Sequence, residues 1–406
     1  MKLSPYKFLS LAITILCAAT ASAFDGDWHG KLNLNGAELS IVFHIKLTPR
    51  VCTIDSPDQG TKGIPASITY CSGDTISIYS ALIGASFNGR LSRHKITGTF
   101  KQMGHSFHLT LEQGEAASPE RPQTPKPPYP YAESEVEITA NDALLAATLF
   151  MPNEPKAAVV FISGSGAQNR NEEIHNHKPF LVLADRLARA GIASLRYDDR
   201  GTAQSTGNIA TATTYTFCDD ATAAIARLRE LCPECPIGVI GHSEGGTIAF
   251  MLAAEGKIDF AISLAGMVQS GIDLIIEQNR DVLRAVGKNG TELESEIEKV
   301  KTLLYEEAKK SPWLSSFLEL NPSGYIANIK CPLLALNGSL DTQVKPSLNL
   351  PIIRELQPTA TIKEYPKLNH LFQHAKTGAV SEYATISETI AEEVITDIID
   401  FVCSKF

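Results

Sequence analysis

From Leu39 to Leu47 every odd position is apolar and the even positions are mostly polar. A period of two sets one face of a strand against a core and the other toward water. Phe107, Leu109 and Leu111 repeat the pattern around Ser106, His108 and Thr110. Turn-forming runs such as Asp55–Gly60 separate such stretches, so residues 24–114 are expected to form a small antiparallel barrel or sandwich. Between 115 and 131 stand Pro119, Pro122, Pro125, Pro127, Pro128 and Pro130. Prolines at this density exclude helix and sheet ladders, so the stretch reads as a linker, an extended semi-rigid spacer.

From 132 to 406 the pattern changes to short apolar strands alternating with helices. Glu135–Thr139 and Leu144–Met151 read as a hairpin. Strands are expected at Ala157–Ile162, Ile192–Tyr197, Ile237–Ile240, Phe260–Leu264 and Pro332–Leu336, with helices at Phe180–Ala190 and Thr213–Leu231. This order predicts an α/β domain with a mainly parallel sheet covered by helices on both faces. An insertion at about 268–328 reads as helical. Thr291 and Glu294 suggest a capping box, Leu293, Ile297, Val300 and Leu304 share one helix face, and Trp313, Phe317 and Tyr325 follow. Its place above the carboxyl ends of the strands makes it a candidate cap over a site; the plainer alternative is a packing appendage.

One pentapeptide carries chemistry. Gly241-His242-Ser243-Glu244-Gly245 has the form G-x-S-x-G and lies between the strand ending at Ile240 and the helical run from Thr247 to Ala254. Strand, motif, helix is the context of a nucleophile elbow, in which a serine sits on a strained turn and glycines on either side avoid clashes. Ser243 is the expected nucleophile. The Glu244 amide, at a helix start with no intrahelical acceptor, can donate to a developing oxyanion. The second donor is expected in the loop Ser163–Gln168, with Ser165 first and Gly166 second; the phosphate-loop pattern G-x-x-x-x-G-K is absent there.

An acid and a base must follow in that order. Asp341 stands just beyond the strand Pro332–Leu336, and His370 lies in the loop after the strand-like Thr361–Tyr365. His370 would take the Ser243 proton and Asp341 would orient its ring. Asp341 could otherwise be a turn residue or helix cap. His374 is the nearest rival base, and the His242 side chain should point away from Ser243. His175-Asn176-His177 has metal-like spacing without a matching carboxylate motif and reads as a solvated loop. No metal or cofactor is called for.

Composition adds compartment rather than chemistry. Hydrophobic residues make up 44% and charged residues 20% of 406, ordinary for globular domains. With net charge −9 and no basic run, nucleic acid and anionic membranes are poor partners. Lys2, Lys7, the apolar run Phe8–Ala19 and Ala21-Ser22-Ala23 read as a signal peptide over residues 1–23. The expectation is export to the periplasm or beyond, with no transmembrane segment. Leu16 before Cys17 disfavours a lipoprotein, which usually has a small residue there. Seven of the eight cysteines would survive cleavage. Cys52 and Cys71 could pair in an oxidising compartment, and Cys232–Cys235 reads as a structural disulfide or two ordinary thiols.

The blocks Phe161–Gly166, Arg196–Gly201 with Ser205, Gly241–Gly246, Leu336–Asp341 and Leu368–His370 resemble bacterial α/β-hydrolases of the carboxylesterase and serine-aminopeptidase-like group. The resemblance covers about 132–406 and implies an α/β-hydrolase fold with Ser243, Asp341 and His370 as triad, and cleavage of modest-sized acyl esters. Some members carry a β-rich N-terminal module like residues 24–114. Members often have proline at the position of Ala167, acidic residues soon after it, and glycine at the position of Ala203. The rival readings are a serine peptidase on the same machinery and a non-catalytic envelope binding protein. The partner expected is a small-molecule ester; oligomeric state is not readable.

Overall fold

The computed structural model describes residues 23–34, 37–57, 61–102, 104–114 and 121–406. The expected signal peptide, apart from Ala23, and residues 58–60 and 115–120 of the expected turn and linker lie outside the described residues. The chain divides into two compact units, Met1–Ala117 and Ser118–Phe406.

The first unit is a closed barrel of eight antiparallel strands: β1 (Gly26–Leu34), β2 (Ala37–Leu47), β3 (Arg50–Ser56), β4 (Thr61–Ser72), β5 (Thr75–Ser80), β6 (Ala85–Ser92), β7 (Lys95–Gln102) and β8 (His105–Gln113). Each strand pairs with its neighbour in sequence, and β1 closes on β8. Alternation decides the inward set, and Ile41, Phe43, Ile45, Leu109 and Leu111 fill the core with Trp28, Phe87 and Phe100. Barrel replaces sandwich because the meander returns to its own first strand, leaving no edge to protect. Cys52 and Cys71 are not bonded to each other. The β3–β4 register sets Cys52 opposite Ala66, five residues from Cys71 along an extended strand, beyond reach of a disulfide.

The second unit is built on an eight-stranded sheet. Its strands are β9 (Ala132–Ala140), β10 (Ala143–Met151), β11 (Ala157–Ile162), β12 (Ile192–Tyr197), β13 (Ile237–His242), β14 (Phe260–Leu264), β15 (Leu333–Gly338) and β16 (Thr361–Tyr365), in the order β16-β15-β14-β13-β11-β12-β10-β9. β9 and β10 form an antiparallel hairpin; β11 through β16 run parallel. Every residue of β11, β12, β13, β14 and β15 is buried, as continuous apolar runs in a two-sided sheet require. Helices α1 (Pro179–Arg189), α2 (Thr214–Leu231), α3 (Glu244–Ala254), α8 (Pro346–Leu356) and α9 (Glu392–Cys403) flank it, with separate cores on its two faces. Between β14 and β15 the insertion folds into α4 (Gly271–Ala285), α5 (Gly290–Ala308), α6 (Pro312–Glu319) and α7 (Ser323–Ile326).

Two local expectations are corrected. Helix α5 begins after Asn289, and Glu294 pairs with Arg280 rather than closing a box with Thr291. A capping box does form at α2, between Thr213 and Thr216. The proline-rich stretch, where described, is pinned rather than spacer-like. The Arg121 guanidinium donates to the carbonyls of His175, Ala384 and Ile386, and Gln123 bridges Thr389 and Ile390. Prolines forbid ladder pairing but leave side chains free to bond elsewhere. Among the described residues no helix is long and apolar enough to cross a membrane.

Candidate active site

Ser243 stands at the carboxyl end of β13, next to β11, where the strand order reverses. In open parallel sheets this crevice is where ligands bind. Its backbone is strained, with φ 53° and ψ −117°. A side chain at Gly241 would come within 2.0 Å of the Gly245 carbonyl oxygen, and one at Gly245 within 2.1 Å of the Ile162 carbonyl oxygen. Only glycine fits at either place, so the motif spacing is a steric requirement of the turn.

Strand β15 delivers Asp341 and the loop after β16 delivers His370. His370 Nδ1 donates to Asp341 Oδ2 at 2.8 Å. Asp341 Oδ1 accepts the amides of Gln343 and Val344, each at 2.8 Å, and Oδ2 also accepts Asn337 Nδ2 at 3.0 Å. The carboxylate is therefore buried, saturated and immobile. Ser243 and His370 face the same cavity; among the described residues Ser243 Oγ makes no hydrogen bond to His370. Such bonds are commonly long without substrate. His374 lies apart, exposed and paired with Glu388 and Glu393.

The cavity holds about 380 Å³, and α4 and α6 of the insertion wall it with Leu274, Ile275, Gln278, Trp313 and Phe317. The loop after β11 lines the same cavity through Gly164, Ser165 and Gln168. The Gly164 amide donates to Glu172 Oε1 at 2.7 Å and is thereby committed. The next amide, Ser165, has no backbone or side-chain acceptor among the described residues. The Gly166 amide likewise has no acceptor among the described residues, at φ 99°, and the Glu244 amide stands at the first position of α3.

Sequence reasoning named Glu244 for its amide alone. Its carboxylate is buried, accepting Thr214 Oγ1 at 2.6 Å and Trp313 Nε1 at 3.1 Å, with the Ser165 hydroxyl also within reach. Burial without a cation raises its pKa. No sequence pattern marks Glu172. It holds a left-handed backbone, φ 50°, and directs its carboxylate onto His242 Nδ1 at 2.9 Å. His242 Nε2 donates to the His370 carbonyl at 3.0 Å, and the two rings lie 4.7 Å apart. His242 thus points away from Ser243 yet lies against the candidate base. The expected solvated loop at His175–His177 is corrected: His177 is fully buried, bonded to Thr389 Oγ1 and the Tyr383 carbonyl, because Arg121 and the 383–389 segment close over it. Among the described residues no group of three or more His, Cys, Asp or Glu is placed to hold a metal ion.

Comparison with known proteins adds a family match. Residues 153–310 match the family described as serine aminopeptidase, S33, a span that contains the elbow but neither Asp341 nor His370. A curated relative, esterase EstD of Thermotoga maritima, is 25% identical over 256 residues, covering 60% of this chain and 61% of the relative. The match thus spans less than two thirds of that protein. Among solved structures, the Pyrococcus furiosus esterase Pf2001 is 19% identical, covers 71% of this chain and 99% of its own, and has a TM-score of 0.49. Est1E of Butyrivibrio proteoclasticus with ferulic acid bound is 15% identical, covers 66% and 98%, and has a TM-score of 0.46. The strand order, the elbow and the family match together make the second unit an α/β-hydrolase domain similar to the serine aminopeptidase S33 family, following an antiparallel β-barrel in the chain.

Proposed function

We propose that the protein is an esterase-type serine hydrolase, cleaving carboxylic esters of modest-sized acyl groups through an acyl-enzyme on Ser243. The observation that carries this reading is the saturated Asp341–His370 pair opening onto the cavity that holds Ser243. His370 Nε2 takes the Ser243 proton as Oγ attacks the ester carbonyl. The Glu244 and Ser165 amides receive the oxyanion, and the alcohol leaves with the proton from His370. Water then repeats the sequence and frees the acid. The chemistry needs two donors and one oriented base, and the unengaged Ser165 amide, the Glu244 amide at the start of α3 and the Asp341–His370 bond support that reading.

The cavity favours an uncharged acyl group over the amino-terminal residue of a peptide. Its two carboxylates, Glu172 and Glu244, are engaged by donors of the protein itself, whereas an α-ammonium calls for an accessible anion. The apolar side chains on α4 and α6 suit an acyl chain, and about 380 Å³ suits a modest one. The segment 1–23 supports the further proposal of export.

The test is paired turnover of p-nitrophenyl esters of rising acyl length and of aminoacyl anilides, with Ser243→Ala beside the unaltered protein. Ester turnover that vanishes in Ser243→Ala is expected. Anilide turnover alone would assign a peptidase, and no turnover of either would leave a binding protein on a hydrolase scaffold.

A further inference from the structure

We infer that Glu172 and His242 form a buried ionic brace that fixes the oxyanion loop and the backbone of His370 together. The inference rests on the reading of Ser243, His370 and the 163–166 loop given above, and extends it to two residues that do not touch the reacting atoms.

The geometry is a chain of four groups. The Gly164 amide donates to Glu172 Oε1 at 2.7 Å. The same oxygen receives His242 Nδ1 at 2.9 Å. His242 Nε2 donates to the His370 carbonyl at 3.0 Å. Gly164 immediately precedes the oxyanion donor Ser165, and a Cβ placed on it would lie 3.2 Å from Ser243 Cβ. One carboxylate oxygen therefore sets where the loop approaches the nucleophile, and the imidazole it holds sets where the base begins. The side chains of both residues are less than a tenth exposed.

The partners dictate the charge on His242. A carbonyl oxygen can only accept, so Nε2 must carry a proton. Nδ1 faces a carboxylate, which when ionised also only accepts, so Nδ1 must carry one too. The ring is then an imidazolium and Glu172 its counter-ion. The other titratable groups near it are the His370 ring and, behind that, Asp341. Attraction by Glu172 and hydrogen bonding outweigh burial and raise the His242 pKa. The left-handed backbone at Glu172 is a further sign that the carboxylate is held inward at a conformational cost.

Two readouts test the brace. With histidine ring nitrogens labelled by 15N and His242 assigned through the signals lost in His242→Gln, one ring should show both nitrogens protonated at pH 7, where exposed histidine rings are mostly neutral. In Glu172→Gln, which is nearly isosteric, the same ring should have lost its Nδ1 proton at pH 7. A neutral His242 ring at pH 7 in the unaltered protein overturns the ionic pair. In kinetics, Glu172→Gln and His242→Gln should each lower kcat about tenfold or more with KM within about twofold, because a displaced donor or base harms the transition state and not ground-state binding. Turnover within about twofold of normal in both variants, while Ser243→Ala remains dead, overturns the brace and leaves the esterase reading standing. Ester turnover that survives Ser243→Ala overturns the parent reading, and with it the positioning role, while the nitrogen spectra still report on the pair.

Discussion

Replacing Asp341 with asparagine changes one atom in a site where every lone pair is assigned. The amides of Gln343 and Val344 can only donate, so the carboxamide oxygen must stay at the Oδ1 position. Its NH2 then occupies the place of Oδ2. There it meets Asn337 Nδ2, another donor, and His370 Nδ1, which must give up its proton to accept. The proton moves to Nε2, the nitrogen that has to receive the proton of Ser243. The opposite flip would spare His370 and turn the NH2 against two backbone amides instead of the one side-chain donor of Asn337, so it is the poorer arrangement. The expected cost is about 10⁴ in kcat, the size seen when a triad acid is neutralised in place. That corresponds to roughly 5.5 kcal/mol of transition-state stabilisation. The opposed donors at Asn337 should lower folding stability by about 1–3 kcal/mol. Steady-state hydrolysis of a p-nitrophenyl ester, with urea unfolding on the same samples, measures both. A folded variant keeping more than about a tenth of normal kcat would refute the assignment of Asp341.

Three further outcomes follow from buried or strained groups. Arg200 is bound to Asp220 at 2.6 and 2.8 Å with both side chains buried, so Arg200→Met should cost about 3–5 kcal/mol in urea unfolding, and adding Asp220→Leu should recover most of it; no recovery would contradict the pair's role. Ala203 holds φ 48°, where an L side chain is strained, so Ala203→Gly should raise stability by several tenths to about 1 kcal/mol; a loss would contradict the strain. Burial holds the His177 pKa down to about 4, against 6.5 when exposed, so the unfolded chain binds the proton first. Its contribution to stability is therefore complete above pH 6.5 and falls as pH drops toward 4; His177→Gln should flatten the slope there by up to about 1.4 kcal/mol per pH unit, and an unchanged slope would contradict it.

What the sequence disclosed was what short range or strict periodicity encodes. The alternation in β2 and β8 named the inward residues of the barrel, and the apolar runs named the parallel strands. The elbow was legible because Gly241 and Gly245 are steric necessities of one turn. Asp341 and His370 were legible because each follows a strand of the same sheet. Barrel closure was not, since the pairing of β1 with β8 joins residues far apart in the chain. Neither was the burial of His177, which depends on a carbonyl at Tyr383 and a hydroxyl at Thr389 more than 200 positions away. Glu172 carried no signal beyond its charge in a polar loop. Its meaning appears only when the loop folds back and directs one oxygen at Gly164 and His242. The Glu244 carboxylate was hidden for a similar reason, since its partners Thr214 and Trp313 come from separate helices.

Covalent trapping of the nucleophile tests the central claim most directly. The protein would be treated with a fluorophosphonate while ester turnover is followed, and the modified peptide identified by mass spectrometry. A single adduct on Ser243, formed in step with loss of turnover and absent from Ser243→Ala, is the expected result. An active protein whose Ser243 stays unmodified, or whose adduct lies on another residue, would contradict the account.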